Sequence, residues 1–177
     1  MSEPLGRGAP MDTTDFERLY ALYATDVLRV CYYYLGNREK AEDITQDVFV
    51  QLITTQPQLQ PGKEKAWLLK VALNRCRDLW RSAWARRVLL SSDSPAFEAI
   101  PDSNDHLSAI ADQEAMLSAI NKLPPDFKEV ILLFYYQNYS TQEICDMLGL
   151  AEGTVSSRMS RARKKLQSIL KEVTWDA

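Results

Sequence analysis

Ser140–Leu166 reads STQEICDMLGLAEGTVSSRMSRARKKL, and the architecture follows from this stretch. Ser140 stands three residues ahead of Glu143, the spacing of a capping box, in which hydroxyl and carboxylate each satisfy a backbone N–H of the other residue. The helix they open stops at Gly149, a residue that takes the left-handed C′ position without steric cost. After the turn Gly149-Leu150-Ala151 a second helix begins near Glu152 and runs to about Glu172. On it Val155, Met159, Ala162 and Leu166 recur at four-, three- and four-residue steps, so they point inward. Ser157, Ser160, Arg161 and Lys164 fall on the opposite face, flanked by Arg158, Arg163 and Lys165. A short capped helix, a glycine turn and a helix with small polar and cationic residues outward form a helix-turn-helix. The outer face suits a DNA major groove, with early residues at base edges and later lysines at phosphates.

The same periodicity, followed toward the N-terminus, predicts helices only. Lys128 to Tyr136 reads as a buried helix behind the break at Pro124-Pro125, and Ile110, Leu117, Ile120 and Leu123 give another, starting near Leu107. Residues 91–106 (SSDSPAFEAIPDSNDH) are polar, acidic and proline-broken, the composition of a linker. Before it, a long helix spans about Lys63 to Arg86 with Leu68, Ala72, Leu79 and Ala83 on its apolar side. The proline-rich loop TQPQLQPGK precedes it. A further helix covers about Glu39 to Thr54 with Ala41, Ile44, Val48 and Leu52 buried. The first helix starts near Thr13 or Thr14, either of which can cap it, and ends at Gly36-Asn37. The expected class is all-α, with two small helical domains joined by an acidic linker. Their bounds are 12–87 and 113–172, with 88–112 between them, a tail at 173–177, and a disordered N-terminus or vector remnant at 1–11.

Composition excludes several functions. The 177 residues are 46% apolar, enough to bury a core. The longest apolar run, Val130 to Tyr136, is far short of the roughly 20 residues of a membrane span, and no secretory signal opens the chain. Cys31, Cys76 and Cys145 are isolated and odd in number, which argues against a disulfide scaffold or a CxxC metal site and fits the reducing cytoplasm. With one histidine, His106, and no phosphate-binding glycine motif, neither an enzyme nor a cofactor or metal site is expected. Net charge is −3, yet residues 65–87 hold seven Lys/Arg against one acid, and residues 153–171 hold six against none. Residues 88–112 hold five acids and no base. Two cationic segments separated by an anionic one is an asymmetry that net charge conceals.

Two more faces are candidates for binding. At about 100° per residue, Lys70, Asn74, Arg77 and Arg81 fall within an arc of roughly 60°, with Trp67, Trp80 and Trp84 bordering the apolar stripe. Cations beside aromatic rings suit single-stranded or melting DNA. On the second helix Asp43, Gln46, Asp47 and Val50 share a face away from the buried stripe. An anionic face with an apolar edge repels DNA and suits a basic protein partner.

With these residues in view, the chain resembles the extracytoplasmic-function type of bacterial RNA polymerase sigma factor over nearly all of residues 14–170. AEDITQDVF (Ala41–Phe49) is similar to the family's segment that holds the clamp helices of the largest polymerase subunit. The resemblance implies polymerase contacts at Asp43, Gln46, Asp47 and Val50. AWLLKVALNRCRDLWR (Ala66–Arg81) resembles the helix that recognises and melts the minus-ten element, with Asn74, Asp78 and Arg81 on recurring polar positions. The loop Leu59–Lys65 corresponds to the one that captures a flipped base. The implied minus-ten set is Leu59, Lys63, Lys65, Trp67, Lys70, Asn74, Arg77 and Arg81. Leu123–Leu150 followed by Gly153–Leu166 resembles the minus-thirty-five domain, with contacts implied at Thr154, Ser156, Ser157, Arg158, Ser160, Arg161, Lys164 and Lys165. Ser156 stands where the family often has a base, Cys145 where it has alanine, and Ala151 where it often has a capping residue. The resemblance further implies core polymerase (largest-subunit clamp and second-largest-subunit flap), promoter DNA and an anti-sigma factor as partners. It also implies that the acidic linker follows the RNA exit path. The rival reading is a stand-alone helix-turn-helix repressor or activator, binding duplex DNA as a dimer.

Overall fold

The computed structural model describes residues 10–90 and 107–175, which are helical with connecting turns and contain no strand. Three helices build the first module: α1 (Thr13–Leu35), α2 (Arg38–Thr55) and α3 (Glu64–Leu90). The cap of α1 is Asp12, not Thr13 or Thr14: its carboxylate accepts from the Asp15 amide at 2.7 Å. Gly36, at φ 65°, ends α1, and Asn37 at once caps α2 by accepting from the Lys40 amide at 2.9 Å. Two consecutive residues thus turn the chain back on itself, and α1 and α2 lie side by side. The predicted stripe Ala41, Ile44, Val48 and Leu52 is buried, as are Leu68 and Ala72 of α3. Leu69, Leu73 and Cys76 join them, so the buried side of α3 is wider than the predicted stripe, of which Leu79 and Ala83 are only half-buried. Each fully buried leucine contributes roughly 1.5–3 kcal/mol by leaving water.

The second module holds α4 (Leu107–Asn121), α5 (Pro125–Ile131), α6 (Thr141–Leu148) and α7 (Glu152–Trp175). The buried helix expected over Lys128 to Tyr136 is α5 followed by a π-helical turn, Leu132–Tyr136. The Gln137 amide there donates to the Leu132 carbonyl, five residues back, at 3.2 Å. Such a turn widens the helix, and here it ends the element ahead of α6. Helix α6 carries the full capping box of Ser140 and Glu143 and ends at Gly149 with φ 65°, as the sequence predicts. Val155, Met159 and Ala162 of α7 are buried and Leu166 is half-buried. Helix α3 extends to Leu90 and α4 begins at Leu107, so both ends of the linker drawn at 88–112 are helical. The rest of that linker, with His106, and the N-terminal residues 1–9 lie outside the described residues. No helix among the described residues is long and apolar enough to cross a membrane.

The two modules are not separate bodies on a tether. Helix α1 packs on α4 and α5, α3 touches α6, and the buried apolar residues of both modules form one cluster.

Candidate nucleic-acid interface

The face predicted on α2 is free of the core. Asp43, Gln46, Asp47 and Val50 are all exposed, and Ile53 extends the apolar edge one turn further. Exposed Tyr20 of α1 lies against Phe49 with ring centroids 4.9 Å apart, which broadens that edge. Arg75 of α3 donates to Gln51 at 2.8 Å, and its other terminal nitrogen lies 3.7 Å from the Asp47 carboxylate. The pair is too exposed to be worth much, but it aims Asp47.

The predicted reading face of α7 is open. Thr154, Ser156, Ser157, Ser160, Arg161, Lys164 and Lys165 are exposed. Arg158 is half-buried, 3.7 Å from the Asp126 carboxylate at the start of α5. Arg163 is held sideways: its Nε donates to the Tyr135 hydroxyl at 2.7 Å and its guanidinium lies 5.5 Å from the centre of the Phe134 ring. The helix is therefore braced on one flank by aromatic side chains of the π-turn and presents its opposite side to solvent.

The predicted face of α3 divides. Lys70, Asn74 and Arg81 are exposed, as is Lys63 before the helix, while Leu59, Trp67 and Trp80 pack partly against the core. The Trp84 side chain lies outside the described residues. Arg77 and Lys65, expected to face DNA, are engaged inside the protein. Arg77 donates from Nε and Nη2 to Glu129 of α5 at 2.8 and 2.6 Å, and Glu129 is completely buried. The paired carboxylate holds Arg77 more strongly protonated than usual. Burial pushes the Glu129 carboxyl up while the hydrogen bonds from Arg77 pull it down. Lys65 lies 3.9 Å from Asp26 of α1 and over the Tyr139 ring. The physical reason is common to both: each sits at the edge of the face nearest the second module, and a cation there is stabilised by the nearest anion or ring.

Around Arg77 the seam between modules carries several polar contacts beside the shared apolar cluster. Lys128 donates to the Tyr34 carbonyl, at the C-terminal end of α1, at 2.9 Å, and Asn121 donates to the same oxygen at 3.4 Å. A cation there also opposes the negative pole of the α1 dipole. Burial lowers the Lys128 pKa to about 8. The Tyr34 hydroxyl is buried without a hydrogen-bond partner, and burial raises its pKa strongly. Tyr33 and Tyr136 stack across the seam, 4.7 Å between centroids. Further along, a cleft of about 440 Å³ opens between Leu59, Lys63, Trp67 and Lys70 on one side and Tyr139, Glu143 and Asp146 on the other. Sequence reasoning missed Lys128 and Glu129. Their signal was present: two opposite charges at the head of a helix read as buried.

Residues 19–86 match the family model described as Sigma-70 region 2, and residues 113–166 match Sigma-70, region 4. The chain is 32% identical over 160 residues to the ECF RNA polymerase sigma factor SigE of Mycolicibacterium smegmatis, a match covering 88% of this chain and 61% of that protein's length. It is 31% identical over 160 residues to the ECF RNA polymerase sigma factor SigL of Mycobacterium tuberculosis, a match covering 88% of each. Among solved structures it is similar to the sigma factor RpoE of Bartonella quintana, determined in complex with the anti-sigma factor NepR. The TM-score is 0.76 at 26% identity, over 90% of this chain and 98% of that one.

Proposed function

The chain belongs to the extracytoplasmic-function sigma factors of the sigma-70 family, promoter-specificity subunits of bacterial RNA polymerase, and we propose that its three faces divide that work between enzyme and promoter. The anionic face of α2 takes the clamp of the largest subunit, with Asp43, Gln46 and Asp47 meeting its cations and Val50 its apolar contacts. The second module meets the flap of the second-largest subunit. Helix α7 reads the minus-thirty-five element from the major groove through Ser157, Ser160 and Arg161, with Lys164 and Lys165 on phosphates. Lys70, Asn74 and Arg81 follow the strand of the opening minus-ten element, and the loop before α3 receives a base turned out of the stack. Extruding a base costs a few kcal/mol, which pocket contacts supply without nucleotide hydrolysis. The chain acts without a cofactor or chemistry of its own, in the cytoplasm where the polymerase is. Its likeness to a sigma factor solved with an anti-sigma protein supports control by a partner of that class.

The observation that carries this reading is the coexistence of an exposed anionic-apolar face and an open helix-turn-helix face in one chain. A stand-alone repressor has no use for the first. Asp47→Arg inverts the charge at the centre of that face on an exposed position outside the core. Its fold, followed by circular dichroism, stays intact, and affinity-tagged chain no longer retains core polymerase. Retention at the wild-type level would refute the clamp assignment. Core polymerase supplied with this chain and a library of bacterial promoter fragments starts RNA at a subset of them, which core polymerase alone does not.

A further inference from the structure

We propose that Arg163 and Tyr135 form a preset phosphate clamp, which grips the DNA backbone on the flank of α7 opposite Arg161 and Lys165. Arg163 makes the contact and Tyr135 is its positioning residue. The inference rests on the promoter-binding reading of α7 and adds the contact that fixes the helix's register.

A helix lying in the major groove, about 12 Å wide, has a phosphate strand on either side. Along α7, Thr154, Arg158, Arg161 and Lys165 recur at four-, three- and four-residue steps and form one flank of the reading face. Ser156, Ser160, Arg163 and Gln167 recur at the same steps and form the other. Arg163 is the only cation in that second row. A row with one cation holds its phosphate strand best when that cation is already aimed, and Arg163 is. Its Nε donates to the Tyr135 hydroxyl at 2.7 Å, and its guanidinium lies 5.5 and 5.7 Å from the ring centres of Phe134 and Tyr135. The two rings meet edge to face, 5.0 Å between centres, so each steadies the other. Both belong to the π-turn Leu132–Tyr136, which sets consecutive aromatic side chains against one arginine of α7. Fixing that side chain in advance removes rotamer freedom it would otherwise lose on binding.

The anchor also leaves the charge unspent. On the first flank Arg158 lies 3.7 Å from the Asp126 carboxylate, and on α3 Glu129 takes Arg77. A carboxylate directs a guanidinium and neutralises it; a phenol directs it and neutralises nothing. Arg163 has no carboxylate partner among the described residues, and both Arg163 and Tyr135 are exposed. With Nε on the phenol, the terminal nitrogens remain for a bidentate hold on one phosphodiester. The hydroxyl, which accepts from Nε, keeps its own hydrogen for the same anion. Phosphates are alike at every base pair, so the clamp adds affinity and register without sequence preference.

Two experiments on the full chain test this. The first follows binding across about 50–200 mM salt, for holoenzyme on a promoter fragment it selects and for the free chain on a mixed-sequence duplex. Arg163→Gln lowers the slope of log affinity against log salt by about 0.9, so over that range the wild type loses about 3.5-fold more affinity than the variant. Arg163→Lys restores the slope with the charge, but not the full affinity, because it lacks the fork. Tyr135→Phe keeps ring and cation and weakens binding about two- to tenfold, the contribution of one hydrogen bond, by the same factor on both DNAs. An unchanged slope in Arg163→Gln overturns the clamp; a lowered urea midpoint beside it would make the pair a brace within the module. The second experiment places single neutral methylphosphonates along the selected promoter fragment. At one position the substitution weakens wild-type binding and leaves Arg163→Gln unaffected. Equal sensitivity of the two chains at every position overturns the proposal. A holoenzyme that selects no promoter fragment refutes the sigma reading, and the mixed-sequence duplex still judges the clamp.

Discussion

Helices α3 and α7 carry similar positive charge on similar scaffolds, and the fold uses them in opposite ways. On α7 the inward residues are apolar, the outward face is solvated, and the flanking cations Arg158 and Arg163 are tied to neighbours within the same module. On α3 the cations nearest the second module, Lys65 and Arg77, are taken up by Asp26, Tyr139 and Glu129, while Lys70 and Arg81 remain outside. The difference teaches that helical periodicity identifies a face but does not say whether the face is free. A helix read in isolation shows where its cations point. What they meet depends on elements that come later in the chain.

The most damaging way to break the comparison is from inside α7. Met159 is buried at the centre of its apolar stripe and is not one of the DNA-facing residues. Met159→Ala leaves a cavity under the helix-turn-helix and costs about 2–5 kcal/mol of stability, read as a lower urea midpoint. A midpoint unchanged from wild type would show that the stripe does not hold α7 in place. The next effect is on binding alone. Arg161→Ala weakens holoenzyme binding to a promoter's upstream element by about 1–3 kcal/mol if it makes a bidentate base contact. Arg77→Ala leaves that same upstream affinity unchanged, because Arg77 lies on the other cationic helix. Equal losses from the two would erase the division between α3 and α7.

Much of this arrangement is legible in the sequence. Caps, glycine stops and the stripes of α2 and α7 depend on residues three to seven apart, so local spacing suffices. The α1 cap lies one or two residues ahead of the Thr13 or Thr14 that the sequence suggests, because Asp12, Thr13 and Thr14 are all competent caps and geometry alone chooses Asp12. The π-turn had no local signature in an apolar run. The seam was invisible for a different reason: Arg77 and Glu129 are 52 residues apart, across a linker whose composition suggests separation rather than docking. Only Lys128 and Glu129 hinted at it, since opposite charges in a buried helix need partners from somewhere.

Lys128 sharpens the comparison from the side of the seam. Burial favours its neutral amine, so its pKa falls from 10.5 to about 8 in the docked chain. Below about 8 both docked and unfolded chains carry the proton, and the cost of burying the ammonium stands in full. Between about 8 and 10.5 Lys128 is protonated in the unfolded chain and neutral in the folded one, so its contribution to stability rises with pH across that window. The slope is at most about 1.4 kcal/mol per pH unit. Tyr34 and Cys76 beside it are pushed upward by burial, so in this window the unfolded chain releases protons that the folded chain keeps. They oppose the trend, and the Lys128 slope is read as the difference between wild type and a Lys128 variant. Lys128→Met lacks this slope, so its urea midpoint falls behind wild type as pH climbs through the window. Parallel curves would mean that Lys128 is not buried in solution, and the seam would then be open.

The smallest expected effect falls on the one motif both views share. Ser140→Ala removes the hydroxyl that accepts from the Glu143 amide at 3.1 Å and costs about 1 kcal/mol. The reciprocal bond, from the Ser140 amide to the Glu143 carboxylate at 2.7 Å, survives because it uses backbone on the serine side. The Glu143 carboxyl is held below its ordinary pKa by Ser140, through its backbone N–H first and its side chain second. A lowered carboxyl contributes stability above its ordinary value of 4.5, and that contribution is lost as the pH falls through the lowered value. Ser140→Ala therefore loses stability at neutral pH yet keeps most of the acid dependence, whereas Glu143→Gln loses much of that dependence. Helix α7 has no such device, since Ala151 precedes it without a capping side chain, and it depends on Val155 and Met159 to hold its first turns. Thermal melts in mild acid separate the two helices on this basis: the α6 variants respond to pH, and Ala151→Ser, which adds a cap to α7, raises stability by a pH-independent amount. If Ala151→Ser proved neutral, α7 would be fixed by packing alone, and the two halves of the helix-turn-helix would owe their order to different forces.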